Sequence, residues 1–286
     1  MSTTLTPPPL PPVAGSPEPE PQTPGTRASS KVIAILLMAL GGALILGTIG
    51  TTVVSTVAAA SIQTTGRSLA VDDVDALDVD LAAGTMVVEF ADVTEAELEV
   101  TGSFGADQWT LRTDGGTLVV ASPDWHFGTP WFFGNGNGRA TLLLPSSLEG
   151  LDADFGLGAG DLTADGEFGE LGLDLGAGRA SLSGSAEVLI ADVSAGRADL
   201  DLADVRSAEI TVSAGALNGT LTGDQPDAIT LDVSAGSADL TVPEGDYDVS
   251  SDVSAGDLDN QIGSTPGASS TVRVDVSAGQ AVLRAG

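Results

Sequence analysis

The chain contains no cysteine. Neither a disulfide nor a thiolate metal site can stabilise it, and no lipid can be attached through a lipobox cysteine. Lysine occurs once, at Lys31, and histidine once, at His126. A lone histidine without a second soft ligand offers neither a zinc centre nor a paired general base. Serines such as Ser194 and Ser234 therefore read as outward strand positions, not nucleophiles. Aromatic residues make up 4% of the 286 residues, which speaks against a bulky globular core. Cationic residues are scarce where they would matter. From residue 68 onward, 38 Asp and Glu stand against 7 Arg. That balance excludes a basic patch for nucleic acid or anionic polysaccharide. It also counts against a β-helical carbohydrate-active enzyme, the catalytic class in which paired carboxylates would have a use. The expectation is a chain without catalytic or cofactor-binding residues.

What the chain has instead is a repeat. Val-Ser-Ala-Gly recurs five times, closing at Gly196, Gly215, Gly236, Gly256 and Gly279, and Leu-Gly-Ala-Gly variants close at Gly160 and Gly178. Successive glycines lie 18 to 23 residues apart, a period at which one supersecondary unit is copied and each copy buries its apolar face on its neighbours. In LDVSAGSADLTV (231–242), Leu231, Val233 and Ala235 alternate with Asp232 and Ser234, and Ala238, Leu240 and Val242 alternate with Asp239 and Thr241. Two half-buried strands therefore meet at Gly236. The inward phase resets from Ala235 to Ala238, where a corner bends the chain without a Cβ clash. An isolated copy, LDVDLAAGTMVVEF (77–90), places an eighth such corner at Gly84, with less regular strands expected from there to Phe155. The small residues beside each glycine predict a narrow core with two or three sides.

Three regions follow. Residues 1–30 hold nine of the fifteen prolines and nothing to bury, so they read as a disordered, partly polyproline cytoplasmic tail. From Val32 to Gly66 no residue is charged, and VIAILLMALGGALILGTIGTTVV (32–54) exceeds the roughly 20 apolar residues that cross a bilayer. Residues 31–62 are thus predicted to be a single transmembrane helix. Arg27 and Lys31 just before it hold the N-terminus in the cytoplasm and send the acidic remainder outside. The alternative is a signal sequence cleaved near Ala60 and a secreted product. Residues 68–286 form the extracytoplasmic domain, with regular rungs from about residue 151. The expected fold is all-β: a β-solenoid, or β-helix-like repeat domain, behind one transmembrane helix and a disordered tail.

LDVDLAAGTMVVEF, GGTLVVAS (115–122), RATLLLPSSLEGLDADFGLGAGDL (139–162) and the Ala-Gly rungs together resemble a bacterial β-strand-repeat family provisionally named adhesins. The resemblance covers about residues 77–286. It implies a membrane-anchored surface protein with no catalytic residues to carry over.

Two constellations could carry function. Four residues before most repeat glycines stand Asp80, Asp174, Asp192, Asp232, Asp252 and Asp275, the exceptions being Gly156 and Thr211. Stacked in register, they would line up at about 4.8 Å. Asp199, Asn218, Asp239 and Asp259 would form a second column. Such columns are either solvated acidic faces or carboxylates bridged by calcium, the one metal the pattern suggests. The second constellation is PDWHFGTPWFFGNGNG (123–138), where Trp125, Phe127, Trp131, Phe132 and Phe133 supply five of the eleven aromatics. Interspersed Gly and Pro make it a loop. It either caps the first rungs or presents a contact surface for a glycan, a protein or the membrane interface.

The expected function is that of a non-enzymatic, membrane-anchored envelope protein, structural or surface-binding. Its alternative is an envelope-stress sensing component that signals through the tail. The final rung, ending at Gly286, is expected to leave an open strand edge for self-association.

Overall fold

A computed structural model of the chain describes residues 63–102, 106–123 and 138–286. The predicted tail, the predicted transmembrane helix and the five loop aromatics lie outside these residues. Among the described residues no helix is long and apolar enough to cross a membrane. The described residues belong to one compact unit, Ala58–Gly286.

This unit is all-β. Its strands are β1 (Gln63–Leu69), β2 (Ala76–Leu81), β3 (Gly84–Ala91), β4 (Ala96–Gly102), β5 (Thr110–Asp114), β6 (Thr117–Ala121), β7 (Arg139–Pro145), β8 (Leu151–Leu157), β9 (Gly160–Leu175) and β10 (Arg179–Val193). There follow β11 (Arg197–Ala203), β12 (Ser207–Val212), β13 (Ala216–Thr222), β14 (Ala228–Val233), β15 (Ser237–Val242), β16 (Tyr247–Val253), β17 (Asp257–Asn260), β18 (Ser270–Val276) and β19 (Gln280–Ala285). Single 3-10 turns at Ala106–Gln108 and Ser146–Leu148 interrupt them.

Each repeat contributes one strand to each of two rows, and neighbouring repeats pair parallel and in register. One row runs β5, β6, β2, β8, the second half of β9, the second half of β10, β12, β14, β18, β16. The other runs β1, β4, β7, β3, the first half of β9, the first half of β10, β11, β13, β15, β19, β17. β9 and β10 pass through the bend between rows without a break in the strand. The antiparallel pairs, β1 with β4, β4 with β7 and β5 with β6, all lie at one end of the stack. There β1 starts at Gln63, ahead of residue 68, and the Gly115–Gly116 turn makes GGTLVVAS the second arm of a hairpin.

The alternation seen in the sequence explains the strands. In β14 Ile229, Leu231 and Val233 are buried while Thr230 and Asp232 are exposed, and in β15 Ala238, Leu240 and Val242 are buried. The inward side chains of both rows join one hydrophobic cluster. Burying each such Leu, Ile or Val contributes roughly 1.5–3 kcal/mol. At the first rungs this cluster holds an aromatic set, with Phe168 edge-on to Phe90 at 5.9 Å and to Phe155 at 6.0 Å.

The structure corrects the reading of the corners. Ala235 is exposed, not inward, and so are its counterparts Ala159, Ala177, Ala195, Ala214, Ala255 and Ala278. The inward phase passes from Val233 directly to Ala238. The four residues between form the corner, which is tied to the preceding one by backbone hydrogen bonds: Ser234 N donates to Val212 O (2.9 Å), Ala235 N to Ser213 O (2.7 Å) and Ser237 N to Gly215 O (3.0 Å). The narrow core comes from the alanines after the glycine, such as Ala180, Ala198, Ala238 and Ala281, all buried. Ser194 is likewise corrected, since it is buried at its corner, whereas Ser234 is exposed.

The order of rungs in space departs from the order in sequence at both ends. β2–β3, first of the repeats, lies inside β6–β7, and β18–β19 lies between β14–β15 and β16–β17. The rung ending near Gly286 is therefore internal, and the expected open edge belongs to the 247–260 rung. That rung is built as an end. Where its neighbour points Val274 and Leu283 inward, it carries Ser251 and Asn260 at the matching positions. The segment 261–269 crosses over part of it, with Val249 N donating to Ser264 Oγ (3.0 Å) and Thr265 N to Tyr247 O (2.7 Å).

Candidate functional surface

The corner glycines form one column, in spatial order Gly84, Gly160, Gly178, Gly196, Gly215, Gly236, Gly279 and Gly256. A Cβ on Gly178, at φ +108°, would stand 2.1 Å from Gly160 O. On Gly236, where φ is ordinary, it would stand 2.4 Å from Gly215 O. In the later rungs backbone proximity alone demands glycine. This column is structural: it sets the rung spacing that aligns the outward side chains.

Alignment places the first acidic column as follows. Asp80 is separated from Asp174 by Gly156, Asp174 faces Asp192, Thr211 stands between Asp192 and Asp232, and Asp232, Asp275 and Asp252 lie side by side. Like charges directly opposite disfavour ionisation. Burial, and then the charge of Asp174, pushes the Asp192 carboxyl above its ordinary value. Burial, then the charges of Asp78 and Asp174, does the same to Asp154 in the adjoining column. In the other row Asp199, Asn218 and Asp239 are neighbours, but Val282 stands between Asp239 and Asp259. Asn218 Nδ2 donates to Asp199 Oδ1 at 2.8 Å, and Arg284 pairs with Asp239.

For calcium the geometry is poor. Among the described residues no group of three or more His, Asp or Glu gathers where it could hold a metal ion. The carboxylates run along a row at about 4.8 Å and do not converge on a point.

The ends of the aromatic loop are fixed. Ser122 N donates to Asp80 O (2.9 Å), Ala82 N to Ser122 Oγ (2.8 Å) and Thr85 N to Gly138 O (3.0 Å). β6 ends beside β2, and β7 starts beside β3. The loop thus replaces, in the β6–β7 rung, the short Ala-Gly corner of the next rung. Its described flank at Arg139 pairs with Thr101, which in turn pairs with Thr64 near the start of β1.

Concave sites are shallow. A 480 Å³ cleft is lined by Gln225, Asp246, Thr265 and Pro266 among others, and a 260 Å³ depression lies beside Asp78, Asp152, Asp154 and Glu170. In the first, the Thr265 hydroxyl donates to Asp246 Oδ1 at 3.0 Å. Among the described residues every buried side-chain nitrogen or oxygen has a hydrogen-bond partner.

No protein-family model and no curated protein matches the chain. Solved structures do resemble it. A provisionally named cell adhesion protein from Clostridium sporogenes shares 8% identity, covering 79% of this chain and all of its own, at a TM-score of 0.38. A provisionally named adhesin from Parabacteroides distasonis shares 12%, covering 78% and 98%, at 0.43. A provisionally named lipid binding protein from the same species shares 14%, covering 77% and 96%, at 0.43.

Proposed function

We propose that this chain is a non-enzymatic surface-binding protein of the bacterial envelope, anchored by residues 31–62 with its N-terminus in the cytoplasm. Its external β-solenoid would serve as a platform for the 124–137 loop. One observation carries this reading. A segment with five aromatic residues is inserted at a corner that takes only a few residues in the other rungs, and both of its ends are hydrogen-bonded into the stack. A stack needs no such insertion to turn, because the other corners do so with Ala and Gly. Trp125, Phe127, Trp131, Phe132 and Phe133 would then supply apolar contact area to a glycan face, a protein or a membrane interface.

The test is a pull-down of residues 58–286 against isolated envelopes, matrix proteins and immobilised glycans. Saturable binding, lost on combined replacement of Trp131, Phe132 and Phe133 by Ser with the thermal midpoint unchanged, is the expected result. A collapse of the midpoint in that variant would make the loop a cap. Absence of binding to every surface would favour sensing through the Pro-rich tail, which deletion of residues 2–26 would then disrupt.

A further inference from the structure

The inverted order at the 247–286 end creates a slot. The β18–β19 rung is held on one side by β14–β15 and on the other by β16–β17, although β16–β17 precedes it in sequence. Both walls and the occupant carry the same pentapeptide, Asp-Val-Ser-Ala-Gly, at 232–236, 252–256 and 275–279. Any rung with that pattern meets both walls in the same register, its Gly279 passing between Gly236 and Gly256. We propose that this slot accepts the β18–β19 rung of a second copy of the chain, so that two copies exchange rungs reciprocally and form a dimer.

Three features favour exchange. Insertion places Asp275, itself paired with Arg273, between Asp232 and Asp252, and this crowding of like carboxylates opposes the Arg284–Asp239 pair by which the rung holds the wall on its outward face. The inward face is the opposite: Val272, Val274, Val276, Ala281 and Leu283 are all buried, so a released rung must find another slot. The connection is releasable. Segment 261–269 is fastened to β16 by hydrogen bonds at exposed positions, Val249 N to Ser264 Oγ and Gly267 N to Asp248 Oδ2 (2.9 Å) among them, which water replaces at small cost, and Ile262 is its one half-buried apolar contact with the core among the described residues. The segment runs beside the open 480 Å³ cleft without filling it. Extended, nine residues span about 30 Å, enough to reach an adjacent stack. Among the described residues β16 and β17 pair with the β18–β19 rung alone, so the incoming rung has to rebuild both ladders, while the Tyr247 hydroxyl, which donates to Pro243 O at 2.9 Å, ties the start of β16 to the chain before it. Exchange of an identical element is a low-cost route to dimers. It competes with the intramolecular rung at an effective concentration in the millimolar range, so crowded copies are where it operates.

The absence of native cysteine makes the test clean. Full-length Asp232→Cys and Asp275→Cys chains are mixed in detergent at high concentration, unfolded and refolded together, and then oxidised. Neighbouring strands hold the two positions within disulfide range. The expected result is a disulfide-linked species of doubled mass in the mixture and none in either variant refolded alone. The Asp232→Cys/Asp275→Cys double variant, refolded dilute, should cross-link within one chain. Intramolecular linkage in that control without any mixed dimer would overturn the exchange. Failure of the control would remove the slot itself. A homodimer of Asp252→Cys in place of the mixed dimer would show end-to-end stacking and also overturn it.

Discussion

At the scale of single residues, the corner glycines are required for two separable reasons. Gly178 is held at a positive φ and also lies against the carbonyl of the neighbouring corner, so Gly178→Ala meets backbone, which no rotamer change can relieve. Its cost is expected at roughly 2–4 kcal/mol, combining strain with displacement of a rung. Gly66→Ala is the comparison, since a Cβ there meets nothing within 4 Å, and it should stay within about 0.5 kcal/mol of the parent. Denaturant midpoints of the two variants check both. The glycines were legible in the sequence because their spacing recurs. The alanines beside them were not, because Ala has no strong preference for inside or outside, and here those before the glycine, such as Ala235, are exposed while those after it, such as Ala180 and Ala238, are buried.

Element order was less legible than element identity. Alternation marks β14, β15 and β18 as half-buried strands, but it is silent on which repeat neighbours which, since in-register repeats are interchangeable partners. One local signal did exist: Ser251 and Asn260 are polar at inward positions where every other rung carries an apolar residue or glycine, Val274 and Leu283 in the adjoining rung. A repeat with polar inward residues belongs at the end of a stack, whatever its place in the chain. Exposure agrees, since Val253 is 40% exposed while its partner Val276 is buried. Amide exchange should therefore be slower in β18 and β19 than in β16 and β17. Slower exchange in β16–β17, measured by mass spectrometry on peptides from the two rungs, would contradict the inverted order. The aromatic loop shows a different limit. Its composition reads as a loop, while the place of its two ends follows from parallel pairing across separations as long as that of Ala76 with Thr117 and Thr85 with Arg139, which no local pattern encodes.

Across the whole molecule, the acidic surplus is arranged and not merely abundant. Parallel in-register stacking turns a repeated Asp into columns, so repulsion accumulates along the stack, with Arg284 to Asp239, Arg206 to Glu187 and a few further pairs as local relief. The stack should consequently gain stability from anything that reduces this charge. Asp154 and Asp192 titrate above the ordinary aspartate value in the folded state, so between that value and their folded pKa the folded chain binds more protons than the unfolded chain. Stability then rises as pH falls through their raised pKa values toward about 4, the ordinary aspartate value, and the slope fades above those raised values. Asp192→Asn should raise the thermal midpoint at pH 7 and flatten that slope. Sodium chloride should raise the midpoint of the parent as well, because exposed charges in a row are screened within about 10 Å at 0.1 M salt. Calcium distinguishes screening from bridging. With no convergent carboxylate group among the described residues, calcium at matched ionic strength should add nothing beyond sodium. A calcium-specific rise in the midpoint that disappears in Asp232→Asn/Asp275→Asn would instead show that neighbouring rungs share the ion, and the columns would then be a binding surface rather than a solvated face.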